Sequence, residues 1–555
     1  MTPGLAVYIA SGRDEAAWEP TVTGVIAALT AEFEVVPERG GQPVATGRRT
    51  LLDTFDWRLH KAGLTLDYAA RSVGGELTLA DQAATAGQLE ITQPVTGWQA
   101  ARPHLMSEVP GGPVASRIGD LVAPRALLPV VTVSTATTVY RLLNQDAKTV
   151  ARLLVEQSAI GGQRSGPHTT RMAPRLSIAE VRGYPGQARR AVRLVDAAVG
   201  ITTAEESALT EALRLLGRRP GDYSNKVDTP ITAAMPPSQA AATILLRLLD
   251  TIDANVGGVL ADTDTEFLHD LRVSVRRTRS ALKLFGDVLT LTEGELAFFA
   301  AEFKWVGDLT TPTRDLDVHL LDFDDTAHSL SAAKPDDLEP FRTYLEQRRR
   351  REFRALTRGL KSARFTELRS NWRTRLTTIE SSHSVARSTT GRSGQGRHAA
   401  GGTTGTLAAE RTRAAFAKVA RRGAAITAQS PAESLHDLRK RCKELRYALE
   451  FFAPLHDRTT QAKVVGELKR LQDCLGEFQD TEVQITEIRA LATAMLAAGE
   501  APAVTLLAMG EVTAGLVTRQ RAAREDFGRR FAAFAGIDGQ RRMSALLRGK
   551  PGVGS

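Results

Sequence analysis

The spacing of hydrophobic residues changes near residue 235 of the chain. Before that point, Val130–Val139 is rich in β-branched residues that alternate loosely, which predicts a strand. Thr149–Gln157 and Arg189–Val199 have helical spacing instead. From Ser238 onward, long segments carry apolar residues at helical spacing with few Gly or Pro, which is typical of a helical bundle. We therefore predict an α+β multidomain protein with a mixed N-terminal part and an all-helical C-terminal part.

Clusters of Pro, Gly and Ser mark the predicted domain boundaries. Residues 217–237 contain Gly, Asp, Asn and four prolines, which indicates an irregular boundary. Residues 381–406 are rich in Ser, Thr and Gly without apolar periodicity, which predicts a flexible loop. The predicted organisation is an N-terminal domain at 1–225, a linker at 226–237, a helical domain at 238–545 with halves 238–380 and 407–545, and a tail at 546–555.

The two helical halves repeat each other. His269-Asp-Leu-Arg272 recurs as His436-Asp-Leu-Arg439 at an offset of 167 residues. A second block matches at an offset of 165 and pairs Lys304, Asp308, Asp315 and Val318 with Lys469, Asp473, Asp480 and Val483. Capping-box patterns that begin at Thr263 and Ser430 predict the helix starts before both repeats. Matches at two nearly equal offsets indicate a duplicated helical unit.

Both repeats carry basic residues at steps of three and four positions. On a helix these steps keep the side chains within an arc of roughly 80°, opposite an apolar face. The resulting ridges consist of His269, Arg272, Arg276, Arg279 and Lys283 in the first repeat, and His436, Arg439, Lys443 and Arg446 in the second. Like charges at this spacing cost a few tenths of a kcal/mol per pair, so each ridge needs a counter-charge. Acidic neighbours such as Asp315 and Asp480, or an anionic ligand, would supply it.

The net charge of +9 is concentrated in the helical part, because residues 1–235 carry +1 and residues 236–555 carry +8. The helical part is therefore the one expected to attract anions. One more basic segment contains Arg342, Arg348 to Arg351, Arg354, Arg358, Lys361 and Arg364. Its charges surround the predicted helix rather than lining one face, which favours a solvated helix. The alternative is a secondary phosphate contact involving Lys304, Lys469, Arg342 and Arg349.

Four sequence blocks resemble the CHAD domain, the conserved-histidine α-helical domain, over about residues 236–545. They read HDLRVSVRRTRSALKLF, RDLDV, HDLRKRCKELRYALEFF and LQDCLGEFQD, and they occur in the family's order in both halves. The resemblance implies two pseudo-symmetric helical bundles, related by a pseudo-two-fold axis, with a basic central surface that binds inorganic polyphosphate. In some members it also implies association with polyphosphate granules. The sequence departs from the family at Thr310-Thr311-Pro312, where the family usually has Leu-Gly.

The N-terminal part resembles the CYTH domain over about residues 1–225, in the blocks Thr50–Leu64 and Thr137–Leu142. The resemblance implies an antiparallel β-tunnel that holds triphosphates with Mg²⁺ or Mn²⁺. The family's first strand reads Glu-x-Glu-x-Lys, but Leu5–Ala10 has neither acid nor base. Charged residues that remain in the matched blocks, and that ordinary surface positions would also explain, are Arg58, Arg141 and Glu180. We therefore expect a degenerate domain with no catalytic residue, no metal ligand and no cofactor; Mg²⁺ or Mn²⁺ would be needed only if it were active.

Other features narrow the class of protein. The two cysteines, Cys442 and Cys474, form neither a disulfide framework nor a metal-ligand pattern. With no signal-peptide pattern and no long apolar run, we expect a cytoplasmic protein without membrane contact, on or off polyphosphate granules. The expected function is polyphosphate binding. Two alternatives stay open: an active metal-dependent triphosphatase, and a nucleic-acid-binding module, although the ridges lack interleaved aromatic residues for base stacking.

Overall fold

The computed structural model describes residues 7–10, 18–71, 73–82, 90–161, 170–389 and 402–548. Contacts divide the chain into two compact units, Met1–Ser224 and Asn225–Ser555. Across the described ranges, no helix combines the length and the hydrophobicity needed to cross a lipid bilayer.

The first unit is built on an antiparallel sheet. Its described strands are β1 (Val7–Ala10), β2 (Glu34–Pro37), β3 (Ala45–Asp53), β4 (Leu64–Ala70), β5 (Gly75–Asp81), β6 (Glu90–Val95), β7 (Leu128–Leu143), β8 (Thr149–Ile160), β9 (Thr170–Arg171), β10 (Arg175–Glu180) and β11 (Ile201–Thr203). Hydrogen bonding gives the order β11-β1-β10-β8-β7-β3-β4-β5-β6, with β2 also on β7 and β9 also on β8. The predicted antiparallel sheet domain is confirmed.

Short helices cover this sheet: α1 (Trp18–Leu29), α2 (Arg58–Lys61), α3 (Pro113–Val122), α4 (Pro185–Asp196) and α5 (Ala208–Leu215). Helix α3 buries Val114, Ile118 and Val122 in a core that also contains Leu66 and Leu77 from the sheet. Because these residues alternate along their strands, one face of β4 and β5 is apolar and packs beneath the helix.

Two of the three elements predicted in this unit are correct. The predicted strand Val130–Val139 lies inside β7, and the predicted helix Arg189–Val199 overlaps α4. The helix predicted at Thr149–Gln157 is wrong, because these residues form β8, which pairs with β7 on one side and β10 on the other. Its apolar residues are buried on both faces of the sheet, so they do not alternate strictly with polar ones.

In its described part the second unit contains helices and no strands, which confirms the prediction of an all-helical domain. Its helices are α6 (Pro237–Leu260), α7 (Thr265–Phe285), α8 (Glu293–Leu321), α9 (Phe323–His328), α10 (Glu339–Leu360), α11 (Ala363–Thr389), α12 (Thr404–Ala424), α13 (Ala432–Phe451), α14 (Arg458–Ala497), α15 (Ala503–Ala535) and α16 (Ile537–Leu547).

The duplication is visible in where these helices begin. The starts of α6 and α12 lie 167 residues apart, as do those of α7 and α13, and those of α8 and α14 lie 165 apart. These are the two offsets found in the sequence blocks. The repeated blocks therefore correspond to repeated helices.

The two helices that carry the ridges pack against each other through matched aromatic residues. Phe285 of α7 and Phe452, which follows α13, are counterparts at the offset of 167, and their ring centroids lie 5.6 Å apart. Both rings are fully buried. The internal symmetry therefore brings the two ridges side by side.

Several predicted boundaries need correction. Helix α11 continues to Thr389 and α12 starts at Thr404, so both ends of the predicted loop 381–406 are helical; residues 390–401 lie outside the described ranges. In the predicted linker 226–237, Val227, Thr229 and Ile231 are buried, since they pack into the helical unit. The predicted tail overlaps α16, and its residues 549–555 are not among those described.

The predicted helix caps are also shifted. The N-cap of α7 is Asp264 rather than Thr263, and its carboxylate accepts from the backbone N–H groups of Glu266 and Phe267. Helix α13 begins after Pro431 without a side-chain cap, because the Ser430 hydroxyl accepts from the Thr427 N–H instead.

A candidate anion-binding groove between the repeats

A groove of about 910 Å³ lies in the second unit where α7 and α13 meet. Basic residues from both ridges line it: His269 and Arg276 from α7, and Arg439, Lys443 and Arg446 from α13. Five of the nine predicted ridge residues therefore line one groove, together with the acidic residues Asp228, Glu450 and Asp473. Cations from both repeats in one groove are the arrangement needed to contact a single extended anion.

The apolar face of each helix decides which side chains reach the groove. In α7, Leu271, Val275 and Leu282 are buried, which leaves the opposite face to the ridge. In α13, Leu438 and Leu445 are fully buried in the core of the second half. The basic side chains point away from these cores because their charges are costly to desolvate.

Arg276 is held in a defined orientation in this groove. Its side chain is exposed, and its Nε donates to the Tyr447 hydroxyl at 2.6 Å. Tyr447 is itself buried and stacks on Phe451. Within the described ranges no carboxylate lies within 4 Å of Arg276, so its outer nitrogens remain available to an anion.

Lys443 is the counterpart of Arg276 in the second repeat. Burial, followed by repulsion from Arg439 and Arg276, lowers its pKa to about 8, against a weaker opposing effect from Asp480. The described part of the chain offers its ammonium group no hydrogen-bond or ion-pair partner. An anion bound beside Lys443 would relieve this repulsion and restore the charged form.

The other members of the second ridge already have acidic partners. Arg439 binds Asp480 through both terminal nitrogens, at 3.0 and 3.1 Å. His436 Nε2 lies 2.9 Å from a carboxylate oxygen of Glu482. Arg446 donates to Glu450 at 2.8 Å. Acidic neighbours therefore supply the counter-charge for this part of the ridge. This was one of the two sources predicted from the sequence, and the other was an anionic ligand.

Arg272 in the first ridge is oriented by neutral groups rather than by an acid. It donates to the hydroxyls of Thr310 and Thr311, at 3.0 and 2.8 Å, and to the Gly307 carbonyl at 3.3 Å. Burial lowers its pKa, partly offset by Asp315. The Thr310-Thr311 departure from the family pattern thus provides the hydroxyls that hold this guanidinium.

The C-terminal members of the first ridge lie towards α8. Arg279 lies against Gly307, where an added Cβ would be 3.2 Å from its Nη1. Lys283 is exposed. Neither forms an ion pair with any residue that the structure describes, so the first ridge carries more unpaired charge than the second.

The predicted secondary contacts divide into paired and unpaired residues. Arg349 binds Asp262 at 2.7 Å and Asp317 at 2.6 Å, and these carboxylates raise its pKa. Arg342 pairs with Asp324 and Glu339. A phosphate contact by either arginine would have to displace these acids. Of the two predicted lysines, Lys304 pairs with Asp308 at 2.5 Å and Lys469 is exposed.

Sequence reasoning missed the ion pair that ties the two ridge helices together. Arg277 donates to Glu450 from two nitrogens, at 2.8 and 3.0 Å, and to the Asn225 carbonyl at 2.8 Å. The sequence contained a signal for this pair, because two arginines, Arg276 and Arg277, are adjacent in α7. Consecutive residues on a helix point about 100° apart, so only one of the two could belong to the ridge.

The three charged residues that remain of the CYTH pattern in the first unit, Arg58, Arg141 and Glu180, lie on three different elements. Arg58 donates to the carbonyls of Val122 and Ala123, at 2.9 and 2.7 Å, and pairs with Asp56, which makes it a structural residue. Arg141 lies in β7, and Glu180 is the last residue of β10. Among the described residues, no group of three or more His, Cys, Asp or Glu side chains could hold a metal ion.

Comparison with known protein families supports the resemblance of the second unit to the CHAD domain. A model of the CHAD domain matches residues 243–489. The CHAD domain structure from the plant Ricinus communis is similar, with 23% identity and a TM-score of 0.46 over 57% of this chain and 96% of that one. PptA from Streptomyces chartreusis is also similar, with 18% identity and a TM-score of 0.39 over 53% of this chain and 99% of that one.

A candidate adenylate cyclase from Bacillus halodurans is also similar, with 15% identity and a TM-score of 0.25 over 38% of this chain and 98% of that one. Because all three TM-scores lie below 0.5, these likenesses do not define a function. No curated protein matches the chain.

Proposed function

Because residues 243–489 match the CHAD domain, we propose that the groove between α7 and α13 binds inorganic polyphosphate. The observation that carries the proposal is the pair Arg276 and Lys443, one from each repeat, which face the same groove without carboxylate partners among the described residues. A chain with a negative charge on every phosphate would replace their mutual repulsion with charge-assisted hydrogen bonds.

The duplicated arrangement favours an extended ligand over a single small anion. Each repeat offers its own cations, so one chain that contacts both gains from the high effective concentration of the second contact. Arg276 is already oriented by Tyr447, and Arg272 by Thr310, which reduces the entropy lost when a phosphate binds. Association with polyphosphate granules would follow from the same contacts.

The alternatives fit the structure less well. A nucleic-acid module needs exposed aromatic faces for its bases, whereas Tyr447 in the groove is buried and stacked on Phe451. A triphosphatase of the CYTH class needs carboxylates on its first strand to hold the metal, and Val7–Ala10 contains none. Binding rather than catalysis is therefore the proposed activity.

The test is charge reversal in the groove. Arg276→Glu and Lys443→Glu should each weaken the binding of long-chain polyphosphate by about tenfold or more, because both repeats must engage the chain. Each should also reduce the slope of log affinity against log salt by about 0.7 if one phosphate contact is lost. Isothermal titration calorimetry at several salt concentrations measures both the affinity and its salt slope.

Lys418→Glu is the matched control, since Lys418 is exposed on α12 and no carboxylate of the described residues pairs with it. It changes the net charge equally and should leave affinity within about twofold. If the groove variants behave like this control, the groove is a solvated surface and the proposal fails.

A further inference from the structure

A second cationic surface lies on α10 and on Lys361, the residue that follows it. Arg351, Arg354, Arg358 and Lys361 follow one another at steps of three, four and three residues, and all four are exposed. In the part of the chain that the structure describes, none of them has a carboxylate within 4 Å. We call these four residues the α10 stripe.

The stripe corrects the expectation that the charges of this segment surround the helix. Four other basic side chains of the segment are paired with acids: Arg342 with Asp324, Arg349 with Asp262, Arg350 with Glu346, and Arg364 with Glu302. Arg348 is exposed and has no ion pair among the described residues. Once these are neutralised, the remaining charge lies mainly on one face, opposite the buried Leu345, Leu356 and Leu360. Unpaired like charges at this spacing destabilise a helix, as they do in the ridges.

Helix α8 connects the stripe to the groove. Arg279 of α7 lies against Gly307 of α8, and Leu309 of α8 packs against Gly359 of α10, where an added Cβ would be 2.4 Å away. Residues 307 and 309 point about 160° apart on a helix, so α7 and α10 flank α8 on opposite sides. The exposed face between them carries Lys304, which is paired with the exposed Asp308.

We propose that the α10 stripe binds the part of a long polyphosphate chain that extends beyond the groove and crosses the exposed face of α8. This inference rests on the proposed function of the groove. Neighbouring helix axes lie about 8–10 Å apart, so the stripe is roughly two such steps, or about 20 Å, from α7. A tripolyphosphate in the groove is too short to reach it, whereas a long chain spans both surfaces.

Polyphosphate suits this surface better than single-stranded RNA does. Bases bind single-strand surfaces by stacking on aromatic side chains. Beside the stripe, the Arg364 guanidinium covers the Trp305 ring at 4.1 Å, and that of Arg349 lies 5.4 Å from the Phe353 ring. These rings are therefore already covered by arginine side chains and are not open to a stacking base. The unpaired cations of the stripe can still bind phosphate groups.

The experiment replaces three stripe residues together, as Arg351→Gln, Arg354→Gln and Arg358→Gln, because Gln has a helix propensity close to that of Arg. The full-length triple variant should bind long-chain polyphosphate about tenfold more weakly, since part of the linked contact is lost. The slope of its log affinity against log salt should become shallower by about 2, because each of the three lost phosphate contacts contributes roughly 0.7. Tripolyphosphate affinity should stay unchanged.

A second triple variant, Arg413→Gln, Lys418→Gln and Arg421→Gln, is the matched control, because it removes the same charge from exposed positions of α12. Equal losses in both triple variants, or no loss in either, would overturn the inference. The groove proposal would still stand if Arg276→Glu weakens long-chain binding by about tenfold or more. A stripe variant that loses only single-stranded RNA binding would overturn it as well. Loss of tripolyphosphate binding would show that the stripe supports the groove rather than extending it.

Discussion

Lys443 should make the unliganded protein less stable while it helps to bind the ligand. Its pKa falls from the ordinary 10.5 to about 8 in the folded chain. At about 1.4 kcal/mol per pKa unit this difference corresponds to roughly 3 kcal/mol. Solvent screening at this half-buried side chain reduces the penalty to roughly 1–2 kcal/mol. Replacing Lys443 by Met keeps the length and apolar stem but removes the charge.

The sign of the pH dependence follows from the same shift. Between about pH 8 and 10.5 the unfolded chain binds more protons at Lys443 than the folded one, so stability rises with pH there. The penalty is therefore fully present below pH 8 and disappears near pH 10.5. Lys443→Met should raise the unfolding midpoint at pH 7 by about 2–5 °C, and this gain should vanish at high pH.

Thermal unfolding followed by far-ultraviolet circular dichroism measures this effect, with Lys418→Met as the exposed control. With added polyphosphate the wild-type chain should have the higher unfolding midpoint, because it binds the ligand more tightly than Lys443→Met and is stabilised more. A variant that is less stable than the wild type at pH 7, or whose gain does not change with pH, would refute the account of Lys443.

Three further outcomes are expected. Asp480→Asn should tighten polyphosphate binding up to about fivefold in titrations, since it releases Arg439 from an exposed ion pair worth at most about 1 kcal/mol; weaker binding would show that Asp480 orients Arg439 for the ligand. Arg277→Met should lower the free energy of unfolding in urea by about 1–3 kcal/mol, because Glu450 loses one of its two arginine partners and keeps Arg446; an unchanged free energy of unfolding would contradict this. With Mg²⁺ or Mn²⁺ the chain should release no phosphate from tripolyphosphate above a buffer blank, because Val7–Ala10 lacks carboxylates; turnover that depends on the first unit would disprove it.

The helical unit could be predicted from sequence because each helix buries one face and the duplication supplies every signal twice. The starts of α7 and α13 reproduce the offset of the sequence blocks. The same reasoning failed at Thr149–Ile160, where pairing with strands on both sides decides the structure. Those partners are distant in the chain, so local periodicity could not identify a strand buried on both faces.

Residue spacing predicted nine ridge residues, of which five line the groove, but it could not show which of them remain unpaired. The partner of Arg439 is 41 residues away in the chain, and that of Arg349 is 87 residues away. Such acids become neighbours only through tertiary packing. The α10 stripe was hidden for the same reason, because its four unpaired residues could not be separated from the paired arginines around them.

The contact between Phe285 and Phe452 also bears on the origin of the fold. When a residue packs against its own counterpart, the interface has the form of an isologous homodimer, in which two identical surfaces meet across a two-fold axis. An ancestral half-length chain would have formed this contact by self-association. Fusion into one chain removed the requirement that both copies be identical. Arg276 has Tyr447 as its partner, whereas the equivalent pair is Lys443 and Ser280, whose side chain is much shorter.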